Sequence, residues 1–447
     1  MKKRNQFSGY RRDLSIPAIA CLICIFIFPP LFFISCEDHR MQTVTWTEYE
    51  PVYMSNEEFK ASAGFEGARV LEEPGKIYLY NGYLFVNEMN KGVHIFDNRN
   101  PASPQPVGFI NIPANKDMAV RGGRLYADSA DDLLVFDISD YNNPELISRK
   151  EGVFNMTNTF FRGFPYREVD ASKGVVVDWK PVEVEEVCRG DCGAVLGRGW
   201  GLGRGNMFLE SGAMAFSDAG GRSATSGTGG SMARFTISGD YLYAVDWSTL
   251  LTFNISVPDP VMYDKQGVGW MIETIFPYKN NLFIGSGNSM YIYDIGNPAS
   301  PRLLSRFQHA TACDPVVVEN DYAYVTLRDG EVCPNVQGTN QLEVIHVKDL
   351  LNPKRIGIYE MIHPHGLGID NGDLFISEGD YGLKILDATD PFNIKQIRHI
   401  KNIRTYDVIP NNGVLIVTGG SGIIQYDYSD INNLKKLSTI PVIKPLP

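Results

Sequence analysis

Short apolar segments separated by polar turns recur along most of this chain. The best-formed copy covers residues 365–401 and reads HGLGID, DLFISEG, YGLKILDATD and PFNIKQIRHIK. Within a segment, apolar and polar residues alternate or apolar residues run for several positions, which is typical of β-strands. Helical repeats would instead have apolar residues three and four positions apart. The four-segment unit returns about every 40 residues, a period typical of propeller blades.

The third segment of each unit fixes the register of the repeat. It reads VHIFDN, LLVFDIS, LTFNIS, MYIYDIG, LEVIHVK, LKILDAT and IIQYDYS. The polar residue near its end is Asp97, Asp137, Asn254, Asp294, His346, Asp387 or Asp427, at successive distances of 40, 117, 40, 52, 41 and 40 residues. Asp and Asn side chains accept hydrogen bonds from main-chain N–H groups just ahead of them, so this position predicts a turn toward the fourth strand.

These units predict an all-β fold, a seven-bladed β-propeller of four-stranded blades that closes on itself and leaves only short strand edges. The predicted blades are residues 75–113, 114–153, 233–268, 269–308, 309–361, 362–401 and 402–442. Residues 36–74 form an N-terminal arm that should lie against the body or tether it. Residues 154–232 form a long, partly Gly-rich insertion between blades 2 and 3, in which GVVVDWKPVEVEEV predicts a strand pair or one long strand.

The charge of the chain restricts its partners. The net charge is −11, and residues 1–35 contribute +4, so the remainder carries −15. Nucleic acids and anionic membrane surfaces bind clustered Lys and Arg, so neither is expected to bind the body. The Gly-rich part of the insertion has neither GxGxxG nor GxxxxGK[ST] spacing, and no nucleotide-binding loop is predicted there.

The N-terminus has the organisation of an export signal. Residues 1–13 are basic and residues 16–34 are apolar, but the apolar stretch is short for a transmembrane helix and contains Pro29-Pro30 near its end. It ends in Phe33-Ile34-Ser35-Cys36, which resembles the lipobox of bacterial lipoproteins, with Phe33 in place of the usual leucine. The resemblance implies that residues 1–35 are a signal peptide and that Cys36 carries several acyl chains, which anchor far more firmly than one. An uncleaved membrane anchor is the alternative.

Glu37 and Asp38 follow this cysteine directly. They resemble the acidic export signal of surface-displayed lipoproteins in some Gram-negative anaerobes. The resemblance implies an outer-membrane lipoprotein on the cell surface, with the periplasmic face as the alternative.

The cysteines beyond the signal fit an oxidising compartment. Four remain after Cys36, an even number, and local pairing predicts the disulfides Cys188–Cys192 and Cys313–Cys333. Two CxxC motifs would make a zinc site plausible, and no CxxC occurs among the four cysteines beyond Cys36.

The repeat itself resembles a known family. The pattern Leu/Val-x-Ile/Val-x-Asp before a proline turn, clearest in MYIYDIGNPASP and VHIFDNRNPASP, is similar to the LVIVD repeat of bacterial and archaeal surface proteins. The resemblance covers roughly residues 75–442 and implies a seven-bladed propeller. The molecular function of that family is largely unassigned, so the resemblance implies a fold and a location without an activity.

A second register places polar residues at the start of each unit's first strand. They are Lys76, Asp117, Arg234, Glu273, Asp314, His365 and Asp407, with one residue of slippage allowed for Glu273. In a propeller this strand lines the central channel, so the sequence predicts a ring of polar side chains of mixed sign, here called the channel rim. Two interpretations remain open. The charges could pair with one another and hold the blades in register, or they could form a ligand-binding or catalytic site at the channel mouth.

Histidines add one further candidate. His363 and His365, with His309 at the comparable place in the preceding unit, could bind a transition metal beside Asp314. A His-x-His turn is also common without any metal, and neither a bound metal nor another cofactor is predicted. No nucleophile elbow or HExxH helix occurs.

The sequence therefore predicts a cell-envelope lipoprotein that acts as a non-catalytic binding or scaffold propeller. Its partner would be a glycan, a peptide or an envelope protein, and the insertion is a candidate contact surface because long loops on rigid scaffolds often bind partners. The alternative is a propeller hydrolase or lyase that uses the Asp, Glu and His residues of the channel rim.

Overall fold

The computed structural model describes residues 41–155, 166–189, 229, 231, 233–309, 315–328 and 340–443. The N-terminal arm contains β1 (Met41–Met54), α1 (Asn56–Ala61) and β2 (Gly64–Glu66). Ser55 begins the helix with a capping box, in which its hydroxyl accepts from the Glu58 N–H while the Glu58 carboxylate accepts from the Ser55 N–H. None of the helices in the described part of the chain combines the length and hydrophobicity needed to cross a membrane.

Seven antiparallel sheets then follow in chain order. Blade 1 is β3 (Pro74–Tyr80), β4 (Tyr83–Glu88), β5 (Gly92–Asp97) and β6 (Gln105–Asn111). Blade 2 is β7 (Met118–Arg121), β8 (Arg124–Ser129), β9 (Asp132–Asp137) and β10 (Glu145–Lys150). The insertion contributes a short 3-10 helix (Ala171–Lys173) and β11 (Val175–Arg189). Blade 3 is β12 (Phe235–Ser238), β13 (Tyr241–Val245), β14 (Thr249–Asn254) and β15 (Val261–Gly267).

Blade 4 is β16 (Ile272–Tyr278), β17 (Asn281–Ser286), β18 (Ser289–Asp294) and β19 (Arg302–Gln308). Blade 5 is β20 (Val316–Glu319), β21 (Tyr322–Leu327), β22 (Gln341–His346) and β23 (Lys354–Glu360). Blade 6 is β24 (Leu367–Asp370), β25 (Asp373–Ser377), β26 (Leu383–Asp387) and β27 (Lys395–Ile400). Blade 7 is β28 (Asp407–Asn411), β29 (Val414–Gly419), β30 (Gly422–Asp427) and β31 (Lys435–Ile440). The predicted all-β, seven-bladed propeller of four-stranded blades is confirmed.

The inner three strands of each blade form the core. Their side chains alternate between the two faces of a sheet, and both faces are covered, so the third strands are buried almost throughout. Val93, Ile95 and Phe96 of β5 are buried, as are the corresponding residues of the other blades. The fourth strands lie at the outside and expose more of their side chains. A one-residue register shift occurs between the third and fourth strands of all seven blades.

The predicted turn after the third strand forms in six of the seven blades. A side-chain oxygen accepts the N–H two residues ahead at 2.8–3.1 Å in Asp97, Asp137, Asn254, Asp294, Asp387 and Asp427. Hydrogen bonds favour the charged carboxylate, so the Ser139 N–H lowers the pKa of Asp137, and the Thr389 hydroxyl together with the Thr389 N–H lowers the pKa of Asp387. His346 is the exception, since it packs on Tyr322 with ring centroids 5.0 Å apart. A second turn of the same type follows three residues later, at Asn100, Asp140, Asp349, Asp390 and Asp430.

The ring closes between blades 7 and 1. The amides of Asn98 and Gln425 donate to each other at 2.9 and 2.7 Å, and both side chains are buried. Leu71, just before blade 1, pairs in parallel with Val442, just after blade 7. The arm also adds β2 as a fifth strand beside β6, which the sequence did not predict.

The arm and the insertion form one two-stranded ribbon. β1 pairs with β11 antiparallel from Met41 opposite Arg189 to Met54 opposite Val175, so the insertion segment is one long strand whose partner is the arm. The end near Met54 packs on blades 1 and 2 through a cluster that contains Phe59, Ala114 and Ala130. Alanine and aromatic contacts thus fix one end of the ribbon to the body.

Candidate functional site

The channel rim lies where each first strand begins. Lys76 and Glu273 belong to β3 and β16, Asp407 begins β28, and Asp117, Arg234 and His365 stand just before β7, β12 and β24. Asp314 lies outside the described residues.

The strand register corrects part of the predicted alignment. The equivalent rim position in each blade is the first-strand residue whose carbonyl accepts an N–H from the second strand. That residue is Asp117 in blade 2, Arg234 in blade 3 and Gly366 in blade 6. His365 is therefore one residue upstream of the equivalent position. In blade 4, Thr274 pairs with Gly285 and a register shift separates it from Ile272, so Glu273 is also one residue upstream. A glycine holds the position in blade 6 because a Cβ there would lie 2.1 Å from the Asp407 carboxylate.

A buried ion pair connects blades 1 and 2 at this rim. Lys76 Nζ is 2.5 Å from Asp117 Oδ2, and the two side chains are only 8% and 2% exposed. The same oxygen accepts the backbone N–H of Arg234, which brings blade 3 into the contact. Burial lowers the pKa of Lys76, and the neighbouring Asp117 charge opposes that effect. The charges of the rim residues in blades 1 and 2 therefore balance each other inside the molecule.

Asp128 reinforces this pair from the second strand of blade 2. Its Oδ1 accepts the backbone N–H groups of Lys116 and Asp117 and the side-chain amide of Asn115, each at 2.8 Å. Asn115 in turn accepts from the Asn87 side chain of blade 1 at 2.7 Å. Burial raises the pKa of Asp128. The repeat register missed these residues because it followed only the first and third strands, although the polar run Asn115-Lys116-Asp117 directly before an apolar strand was a usable signal.

Asp407 is the most enclosed member of the rim. Its side chain is fully buried, Oδ1 is 3.5 Å from the Ser231 hydroxyl, and Ser231 accepts the N–H of Leu367. Within the described part of the chain, Oδ2 has no hydrogen-bond partner. Burial raises the pKa of Asp407 well above its ordinary value, and the charge of Lys76 opposes this.

The predicted histidine cluster forms only in part. His365 Nε2 is 3.1 Å from His363 Nδ1, and the Arg328 guanidinium lies 3.5 Å from His365. Burial, followed by the positive charge of Arg328, lowers the pKa of His365 well below its ordinary value. His309 is buried at the end of blade 4, where its backbone N–H donates to Asn288. In the described ranges, no group of three or more His, Cys, Asp or Glu side chains is arranged to hold a metal ion.

The lipidation residue Cys36 lies outside the described residues, as do Cys192, Cys313 and Cys333, so both predicted disulfides stay predictions. Cys188 belongs to β11.

Of the two interpretations of the channel rim, the contacts favour the one in which its charges pair with neighbouring blades and hold them together. The carboxylates of Asp117 and Asp128 face a lysine and main-chain donors of neighbouring segments at hydrogen-bond distance. Buried charges paired in this way hold adjacent elements in one register, and removal of either partner is strongly unfavourable.

Comparison with known sequences identifies the repeat. A family model described as "LVIVD repeat" matches residues 114–150, 229–258 and 278–309, which lie in blades 2 to 4. Three blades of this chain therefore match the LVIVD repeat. Among curated proteins, none matches this sequence.

Several solved structures are similar to this chain at low sequence identity. The crystal structure of a protein from Lactobacillus plantarum is similar with a TM-score of 0.50 and 12% identity, over 83% of this chain and 97% of that one. BamB from Moraxella catarrhalis gives a TM-score of 0.48 and 8% identity, over 86% of this chain and 99% of that one. Sqt1 from Saccharomyces cerevisiae gives 0.48 and 11%, over 86% and 88%. The first of these likenesses indicates a common fold alone.

The Lys76–Asp117 pair is expected to contribute strongly to stability. Lys76→Met leaves the Asp117 carboxylate buried without its cation and should lower the free energy of unfolding by about 3–5 kcal/mol, measured by urea denaturation. Lys60→Met is the matched control, because it removes one partner of the Lys60–Glu151 pair, whose side chains are 53% and 59% exposed. It should leave stability almost unchanged. Equal losses in the two variants would contradict a cohesive role for the rim.

Asp407 is expected to make stability fall as pH rises. Its folded pKa is raised, so its contribution is complete below its unfolded pKa and is lost as pH rises through the folded pKa. Asp407→Asn should therefore unfold at a higher temperature than the native chain at neutral pH, with the difference shrinking toward pH 4. Asp427 is the contrasting case, because its pKa is lowered in the folded chain. Asp427→Asn should therefore unfold at a lower temperature than the native chain at neutral pH, and this difference should shrink as the pH falls. Thermal melts across this pH range test both slopes, and a pH-independent Asp407→Asn difference would contradict the account.

Proposed function

We propose that this protein is an outer-membrane lipoprotein that acts as a non-catalytic binding or scaffold propeller for a glycan, a peptide or an envelope partner. The observation that carries the proposal is the ribbon formed by the arm and the insertion. The arm that follows the candidate lipidation residue contains the long strand β1, which pairs along its whole length with β11. Such a strand provides a defined link between a lipid anchor and the body.

The geometry of the ribbon suits a spacer. β1 has 14 residues, which corresponds to about 45 Å at the usual rise of a strand. None of residues 43–48 or 180–187 is buried, so this half of the ribbon is not packed into the body. Cys36 precedes Met41 by five residues at that same end. An acylated Cys36 would therefore hold the membrane at one end of the ribbon and the propeller at the other.

The state of the channel rim supports a binding or scaffold role over hydrolase or lyase chemistry. A catalytic acid or base must come within hydrogen-bond reach of the substrate. Lys76 and Asp117 are buried against each other, and Asp407 is fully enclosed. These groups contact neighbouring blades and not solvent. We therefore assign partner binding to the outer strands, the loops and the insertion. The acidic body disfavours nucleic acid as that partner.

Lipid attachment at Cys36 is tested by metabolic labelling with radioactive palmitate. The native chain should be labelled and should fractionate with the outer membrane, and Cys36→Ser should lose the label because it lacks the thiol that forms the thioether. Cys24→Ser, which changes a cysteine inside the predicted signal, is the matched control and should retain the label. Label that persists in Cys36→Ser would contradict the proposal.

Orientation is tested on the same cells by external protease. Digestion of the propeller in intact cells is expected if the protein is displayed on the surface. Complete protection in intact cells, with digestion after permeabilisation, would assign it to the periplasmic face.

A further inference from the structure

An apolar trough, here called the seam trough, runs along the outer surface where blade 7 meets blade 1. It is a cavity of about 480 Å³, which is within the size range of ligand pockets. Its floor is formed by Leu71, Phe96 and Ile440, which are buried in the contact between the two blades. Val70 and Ile443 also line it, and each is 52% exposed. Large apolar side chains that line one cavity and stay exposed indicate a binding surface.

The seam trough offers few hydrogen-bond donors to a ligand. Its hydroxyl groups belong to Ser103, Ser438 and Thr439. The Ser438 hydroxyl is already used, because it donates to the Pro101 carbonyl at 2.6 Å. The Ile443 N–H is also used, since it donates to Leu71 at 2.9 Å. Three other lining residues have no N–H at all, namely Pro104, Pro106 and Pro441.

This lining distinguishes between two kinds of extended ligand. A bound peptide would bring an N–H and a C=O with every residue, and each of these groups needs a partner once it is buried. An aliphatic chain has no polar group along its length and loses nothing on an apolar surface. The seam trough is therefore better suited to an acyl chain than to a peptide.

Arg69 adds a positive charge to the seam trough. In the described part of the chain, its Nη2 atom has no hydrogen-bond partner and no carboxylate pairs with the guanidinium. The guanidinium lies 3.3 Å from the centroid of the Phe109 ring, and this cation–π contact holds it in place. A guanidinium without a carboxylate beside it is complementary to an anionic group of a ligand.

The length of the seam trough also fits an acyl chain. Its wall from Ser438 to Ile443 includes the end of β31 and spans five residue steps, or about 17 Å when extended. The extended chain of tetradecanoate has a similar length. Leu71, two residues after Arg69, pairs in parallel with Val442 of this wall. The cation therefore lies alongside the path that an acyl chain would take.

We propose that the seam trough binds a long-chain fatty acid, with its acyl chain on Leu71, Phe96 and Ile440 and its carboxylate at Arg69. Each methylene group removed from water on this floor contributes to affinity, and the guanidinium supplies the contact with the anion. A fatty acid is not among the partners proposed above, so this inference does not depend on the proposed function.

The test is photo-cross-linking of the full chain, in lipid nanodiscs, with tetradecanoate that carries a diazirine on its chain. Mass spectrometry after digestion should find cross-links on peptides that contain Leu71, Phe96 or Ile440, and unlabelled tetradecanoate should compete for them. Decanoate should compete about tenfold less well or worse because it buries fewer methylene groups. Tetradecanol should also compete about tenfold less well, because it has the same chain without the charge.

Two variants test the cation. Arg69→Gln removes it, and Val70→Glu places a carboxylate beside it at an exposed position of the lining. Each should lower cross-linking of the seam trough about tenfold. Arg302→Gln is the matched control, because the Arg302 side chain is 72% exposed on blade 4, and it should cross-link as the native chain does. Melting temperatures equal to that of the native chain exclude unfolding as the cause.

Three results overturn the site. They are the absence of cross-links on the trough peptides, equal competition by tetradecanol and tetradecanoate, and cross-linking at the native level in either folded variant. Failure here is distinguishable from failure of the lipoprotein proposal. Palmitate attached at Cys36 is covalent and survives denaturation of the chain, whereas a fatty acid bound in the seam trough is released.

Discussion

Each blade of this protein is apolar on both faces, and it can bury both faces only between two neighbours. That constraint makes closure of the ring the condition on which the rest of the structure depends. The first and last blades meet through the reciprocal amide pair of Asn98 and Gln425, and the segments outside them pair at Leu71 and Val442. A blade that lost its neighbour would expose an apolar face to water, so the blades are stable together.

The buried charges follow from the same constraint. Apolar packing fills the space between blades but does not by itself specify how far one blade slides along the next. Directional contacts such as Lys76 with Asp117 fix that register at one end of the first strands. At the other end, Glu319 accepts the N–H groups of Asn371 and Gly372 in the next blade. The polar residues that vary from blade to blade are thus largely specific contacts between particular neighbours.

Much of the architecture could be predicted because its signals are local. An Asp or Asn accepting a main-chain N–H two residues ahead requires only adjacent sequence, and this turn formed in six blades. The rim was predicted less well because its register depends on strand pairing. The shift at Thr274 and the glycine at position 366 displaced the alignment by one residue. The pairing of β1 with β11 joins segments more than a hundred residues apart, and no local pattern encodes such a partner.

Hydrogen exchange of the full chain, followed by mass spectrometry, tests the central claim that the channel rim is a cohesive element of the ring. If it is, amides of β3, β7 and β28 should exchange only through global unfolding, and more slowly than those of the outer strands β10 and β27. Exchange of the three rim strands through local opening, ahead of the outer strands, would contradict the claim and favour a rim that opens to a ligand.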